Sequence, residues 1–287
     1  MEYEKESNYL PALSDLSVVA NVNDKNVTLS ATNNGTYNAQ FVEAYGLFFD
    51  ADNNLIYVDS GYIVDDDSEI KAGDTISKQL NCNGLYTDLQ IFLTGRSNGK
   101  VSQKSDFDDT KMEIAEYKYE NSYSTQYYVA VTNNSEQTVK ISGNGLAKKA
   151  DGSVIGAASL EIDVLAPGET SIGNFYFNGV YDVDHVEYKL SYKTDTYYKP
   201  VIDNLDVEVS INDKNVIAMI TNNGTYAAQF VQAYCLFMDS EDNIVYATSN
   251  YIVDDDSEIK PGDTISGQIN CSAAFDHIEM FLTGRAS

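Results

Sequence analysis

Asp65-Asp66-Asp67-Ser68-Glu69 packs four carboxylates into five residues, and the same string returns at Asp254-Asp255-Asp256-Ser257-Glu258. Charges this dense repel one another unless water, a cation or an arginine relieves them. Three readings are therefore open. The plainest is a solvated loop in an acidic protein. The second is a structural ion pair, because the arginines Arg96 and Arg285 occupy equivalent positions and each could grip the aspartate run of its own repeat through the planar guanidinium fork. The third is a weak calcium site built on Asp65, Asp66, Asp67 and Glu69, and again on Asp254, Asp255, Asp256 and Glu258. We rank the arginine pairing above calcium and the solvated loop above both.

Other candidates are weaker. Asp50-Ala51-Asp52-Asn53-Asn54 has the spacing that opens a calcium loop, but no glycine follows it and no bidentate glutamate closes it. A hairpin turn capped by Asp and Asn side chains explains it better. Cys82 and Cys271 fall in phase with Ile76, Leu80, Ile265 and Ile269, so both should point inward as small hydrophobes. Cys235 lies in phase with Val231, Ala233 and Phe237, which leaves a Cys235–Cys271 disulfide open. Cys82 would then have no partner, which favours buried, reduced thiols throughout. The histidines, His185 and His277, lie far apart in the sequence, and no nucleophile elbow, zinc-protease or phosphate-loop motif occurs. We expect no enzyme and no resident cofactor, with calcium the one ion worth testing.

Charge limits the partners. Forty-four acidic residues against 18 basic ones leave a formal charge of -26, which repels nucleic acid and anionic membranes. No apolar run approaches the roughly 20 residues that cross a bilayer, so no membrane insertion is expected. The opening MEYEKESNY is acidic and polar, unlike a signal peptide. Either the protein is cytosolic, or it is extracellular and its export signal and any anchor lie outside these residues. Tyrosines cluster around Tyr117 to Tyr123 and Tyr192 to Tyr198, either as packing between neighbouring modules or as exposed stacking platforms.

The elements that must hold these residues come from an internal repeat. Asn23 to Val27 (NDKNV) recurs at Asn212 to Val216, and the two copies then align without a gap through TNNGTY, YIVDDDSEIK, GDTIS and FLTGR. About three-fifths of the aligned positions are identical, far beyond chance. A diverged third unit lies between them, marked by Thr132-Asn133-Asn134, Ala150-Asp151-Gly152 and Pro167-Gly168-Glu169-Thr170. Within each unit apolar residues alternate at period two, as in Leu16, Val18, Ala20 and Val22, or Leu89, Ile91 and Leu93. Phe41 to Phe49 is apolar on both faces, as a central strand would be. Some seven short strands per unit with regular turn signals predict a two-sheet sandwich. One segment breaks the likeness: Asn83 to Ile91 differs from Ser272 to Met280 at every position. If the copies bind different partners, that loop is the place, although drift explains it as well.

The order TNNGTY, AYGLFFDADNNLIY, IKAGDT resembles the FxLYD domain, a bacterial immunoglobulin-like sandwich. Leu47-Phe48-Phe49-Asp50 and Leu236-Phe237-Met238-Asp239 match its hallmark with one extra residue before the aspartate, and Ala72 replaces the family's proline. The resemblance implies an all-β chain of three tandem immunoglobulin-like β-sandwich domains, at 10–99, 112–197 and 200–287, with hinges near Met112 and Pro200. It further implies a non-catalytic module array of a secreted or surface-anchored protein of a Gram-positive bacterium, serving as spacer, adhesion or protein-interaction segment. The alternative is an accessory carbohydrate- or ligand-binding region of a secreted enzyme. The expected partner is an unidentified protein or glycan.

Overall fold

A computed structural model describes residues 9–23, 25–65, 68–101, 107–194, 196–212 and 214–287. The chain is all-β, and the helical turns among the described residues are three single 3₁₀ turns. The first repeat contains β1 (Leu10–Pro11), β2 (Leu16–Asn23), β3 (Asn26–Asn33), β4 (Gln40–Phe49), β5 (Leu55–Val64), β6 (Thr75–Asn81) and β7 (Asp88–Ser97). These form two sheets, ordered β1-β7-β4-β5 and β2-β3-β6, with antiparallel neighbours. The doubly apolar run at Phe41 to Phe49 is explained by this order, since β4 is an interior strand.

The middle third contains β8 (Met112–Glu120), β9 (Ser124–Asn133), β10 (Val139–Lys148), β11 (Val154–Leu165), β12 (Thr170–Asn178) and β13 (His185–Lys193), in sheets ordered β12-β9-β8 and β11-β10-β13. The second repeat contains β14 (Leu205–Asn212), β15 (Asn215–Asn222), β16 (Gln229–Met238), β17 (Ile244–Tyr251), β18 (Thr264–Asn270) and β19 (His277–Arg285), in sheets ordered β14-β15-β18 and β17-β16-β19.

Each repeat encloses one apolar core between its two sheets. Val216, Ala218 and Ile220 of β15 face Val231, Ala233, Cys235 and Phe237 of β16, all fully buried. Val27, Leu29 and Ala31 of β3 do the same against Val42, Ala44 and Phe48 of β4. Period-two alternation along these strands turns one face of each sheet inward, and removing that apolar area from water is the main stabilising term.

One polar device recurs in all three thirds. Asn222 is 1% exposed, donates from Nδ2 to the carbonyls of Tyr226 (2.8 Å) and Ile259 (2.7 Å), and accepts from the Gly224 N–H (2.9 Å). Asn33 makes the matching set with Tyr37, Ile70 and Gly35, and Asn133 with Gln137, Leu165 and Ser135. The buried amide thus ties a turn to a neighbouring segment, and at Ile70 and Ile259 it adds a second donor to carbonyls that already accept from Ala39 and Ala228. The NNG sequence does not use a left-handed turn. Its glycines are needed for close approach: a Cβ on Gly35 would lie 2.6 Å from an Asp15 carboxylate oxygen, and one on Gly224 would lie 2.9 Å from the Asn204 Cβ. Left-handed glycines appear instead in the later turns, at Gly73 (φ 84°), Gly168 (φ 87°) and Gly262 (φ 85°).

The chain divides into two compact units, one made of Met1–Lys104, Asn144–Ala158 and Phe177–Tyr188, the other of Ser105–Gly143, Ser159–Tyr176 and Lys189–Ser287. The middle third is apportioned to both. In the first unit Asn26 donates to the Gly179 carbonyl (3.1 Å), Asn144 exchanges hydrogen bonds with the Ser77 backbone (3.0 and 3.1 Å), and Gln79 donates to the Asn178 carbonyl (3.0 Å). In the second unit Tyr128, Ala130 and Ile172 pack against Leu236, Met238 and Ala247. Aromatic pairs extend this seam: Tyr117 with Phe281, Tyr119 with Tyr246 and Tyr128 with Tyr234. Ser171 donates to the Leu282 carbonyl (3.0 Å), and the buried Glu169 accepts from the Asp203 N–H (3.1 Å).

Candidate interaction surface

The acidic loops are organised by their own backbone. Ser257 Oγ donates to Asp254 (3.1 Å) and accepts the Asp254 N–H (3.2 Å), and Ser68 makes the same two bonds with Asp65 (2.9 and 3.2 Å). Glu69 turns away from the run to accept from Asn38 Nδ2 (2.7 Å). Asp66 and Asp67 lie outside the described residues. Among the described residues, no three His, Cys, Asp or Glu side chains converge to hold a metal. The Asp50 turn is an Asx-capped hairpin. Its carboxylate accepts the N–H groups of Asp52 and Asn54 (both 2.9 Å), and the Asn54 bonds hold its pKa below the usual carboxylate value. Asp239 repeats this with Glu241 and Asn243.

Both arginines are gripped by aromatic rings. Arg96 lies between Tyr9 (3.8 Å to the centroid) and Phe41 (4.1 Å), and Arg285 between Tyr198 (3.9 Å) and Phe230 (4.3 Å). Phe41 and Phe230 both have φ of 51°, at the bulges where β4 and β16 slip register against β7 and β19. A non-glycine residue in the left-handed region is costly, and here it is what turns the ring onto the guanidinium. The acid that Arg285 meets is Asp163 of β11, so its ion pair joins the second repeat to the middle third and not to its own run at Asp254–Asp256. Arg96 has no ion-pair partner among the described residues, and its Nε is buried without a hydrogen-bond acceptor. The sequence marks the arginines as a matched pair, and Tyr9 and Tyr198 stand at the same offset of 189 residues. Their common offset was the signal that could have joined them.

The junction before the second repeat is pinned. Lys199 and Ala286 exchange backbone hydrogen bonds (2.9 Å each), beside the Tyr198–Arg285 stack. Of the clustered tyrosines, Tyr117, Tyr119, Tyr192 and Tyr198 are engaged with rings or an arginine, while Tyr123 and Tyr197 are 78% and 85% exposed, Tyr197 with its ring edge-on to Tyr198. Cys82, Cys235 and Cys271 are free thiols, all buried. Cys82 and Cys271 donate to the equivalent carbonyls of Gly84 and Ala273. Burial and the nearby Cys271 push the Cys235 thiol up to about 12.

An open groove of about 600 Å³ lies at one end of the first repeat, lined by Ala20, Val22 and Lys25 on one side and Leu85, Tyr86 and Leu89 on the other. Leu85 is 90% exposed. The wall from Gly84 to Ile91 belongs to the segment that differs from the second repeat at every position.

No family model matches this chain, and no curated protein does. Forty chains of solved structures match it, among them red sea bream transglutaminase, at 9% identity over 61% of this chain with a TM-score of 0.21. The chain spans 29% of the length of that transglutaminase, and a likeness so slight carries no argument about fold or activity.

Proposed function

We propose that the chain is a row of three immunoglobulin-like β-sandwich modules of the FxLYD kind, at 10–99, 112–197 and 200–287. It serves without catalysis as an extracellular interaction or adhesion segment of a bacterial surface or secreted protein. The observation that carries this reading is the contrast between frame and loop. The two repeats keep the same buried asparagine bracket, arginine stack and turn chemistry, while the wholly divergent segment lines the one groove described above, beside an exposed leucine. Rigid frames carrying variable loops are the usual design for binding. The high negative charge keeps such an array soluble and repels anionic surfaces.

The test is binding of the full-length chain to an array of purified soluble proteins and to a glycan array. Retention on protein spots that Leu85→Glu abolishes and Tyr197→Ala leaves intact supports the groove as the contact. Retention that is indifferent to Leu85→Glu, or turnover of any probe, overturns it. The exposure of Tyr197 and Tyr123 favours a second reading, an accessory carbohydrate-binding region of a secreted enzyme. Glycan binding lost with Tyr197→Ala would select it.

A further inference from the structure

The two repeats present the same outer sheet face in opposite states. In the second repeat the outer face of β17-β16-β19 is covered by β8, β9 and β12, leaving Leu236, Met238 and Ala247 at 0%, 4% and 4% exposure. The first repeat builds that face in the same register. Val58 stands opposite Leu47 as Ala247 stands opposite Leu236, and Phe92 opposite Tyr45 as Phe281 opposite Tyr234. Yet Val58, Leu55 and Phe92 are about half exposed, at 49%, 51% and 54%. A contiguous exposed apolar patch of this kind marks a contact surface.

The arginine beside each face makes the same distinction. Arg285 is stacked between two rings and paired to Asp163, an acid supplied by the covering third. Arg96 is stacked identically, but no described carboxylate meets it and its buried Nε lacks an acceptor. A stacked, partly desolvated guanidinium that meets no acid among the described residues is the half of a latch that a partner completes.

We infer that the outer face of β5-β4-β7 is a docking surface for a further β-sandwich of the middle-third type. That occupant presents a three-stranded sheet with tyrosines and small apolar residues, as Tyr128, Ala130 and Ile172 do, and a carboxylate that pairs with Arg96. The middle third of this chain has already given its own such sheet to the second repeat, so the occupant is another module. Glu43 and Asp88 stand where the covered face has Gln232 and His277, so the occupant is neutral or basic opposite them. This goes beyond the proposed function and holds whatever the groove binds.

The experiment uses intact chains. The acceptor carries the photo-crosslinking residue p-benzoylphenylalanine in place of Phe92. The donor carries Leu236→Glu and Ala247→Glu, which lift the second repeat off β8, β9 and β12 and free that sheet. Irradiation is expected to join acceptor to donor at β9 or β12, and Arg96→Ala in the acceptor should lower the yield about fivefold, as loss of one stacked ion pair would. No crosslink to a donor that keeps its β-sheet circular dichroism overturns the inference. So does equal crosslinking to a wild-type donor, or a crosslink between two acceptors through position 92, which would make a second copy the occupant. Where the double variant does not fold, a donor with Ala247→Glu alone, a smaller intrusion on the same seam, is held to the same outcomes.

Discussion

Asn222 offers the sharpest test of how the repeat is held together. Its amide makes three hydrogen bonds of 2.7 to 2.9 Å inside the protein, at 1% exposure. Asn222→Ala removes all three and strands the Tyr226 carbonyl and the Gly224 N–H, while the Ile259 carbonyl keeps the Ala228 N–H. At about 1 kcal/mol net per bond the loss is about 3 kcal/mol, and the stranded groups raise it to about 5 kcal/mol if no water reaches them. Asn223, the next residue, has an exposed side chain, so Asn223→Ala should cost under about 0.5 kcal/mol. Urea unfolding followed by far-ultraviolet circular dichroism reads both. With a slope of about 2 kcal/mol per molar, the Asn222→Ala midpoint of the affected transition should fall by about 1.5 to 2.5 M, while that of Asn223→Ala stays put. Equal midpoints for the two variants, or a loss below about 1 kcal/mol for Asn222→Ala, would refute the idea that the buried amide organises the turn.

Other outcomes follow from the same geometry. Arg285→Ala should cost about 2 to 3 kcal/mol because it ends both stacking and the Asp163 pair, whereas Arg96→Ala, losing stacking alone, should cost about 1 kcal/mol; thermal melts of the two variants compare them directly. The buried thiols should stay silent toward Ellman's reagent at pH 8 and react on addition of denaturant, and fast labelling of the native chain would contradict their burial. Burial pushes Tyr234 up to about 12 and raises Tyr128 as well, so both phenols stay neutral in the folded chain after unfolded ones have ionised. Their contribution is complete below pH 10 and is lost as pH rises toward 12, so unfolding at pH 11 should need less urea than at pH 9. Chelation by EDTA should leave the melting temperature within about one degree, since Ser257 and backbone groups already order the Asp254 loop; a rise of several degrees with calcium but not magnesium would restore the metal reading.

The extended elements were legible because period-two alternation is a local property. Val27, Leu29 and Ala31, or Val231, Ala233 and Phe237, declare their inward face without reference to anything distant. The Asp50 turn was legible for the same reason, its cap lying within five residues. What escaped was what depends on neighbours far along the chain. Arg285 finds its acid at Asp163, 122 residues away, and nothing around either residue announces the pairing. The asparagine of the TNN string is marked in the sequence only by its repetition, when its amide acts by reaching a carbonyl 37 residues on. The groove-lining loop could be singled out by its divergence, but only the fold places Leu85 across from Val22.

The division of the middle third bears on how the polypeptide reaches this form during synthesis. Phe177–Tyr188 belongs to the same compact unit as the opening hundred residues. A ribosome must therefore deliver the chain through Tyr188 before that unit can close, and the first repeat waits with Asn26 and Gln79 still wet. Premature termination or a slow codon stretch before that point would leave an incomplete assembly, so the vulnerable interval in the life of this molecule is its birth.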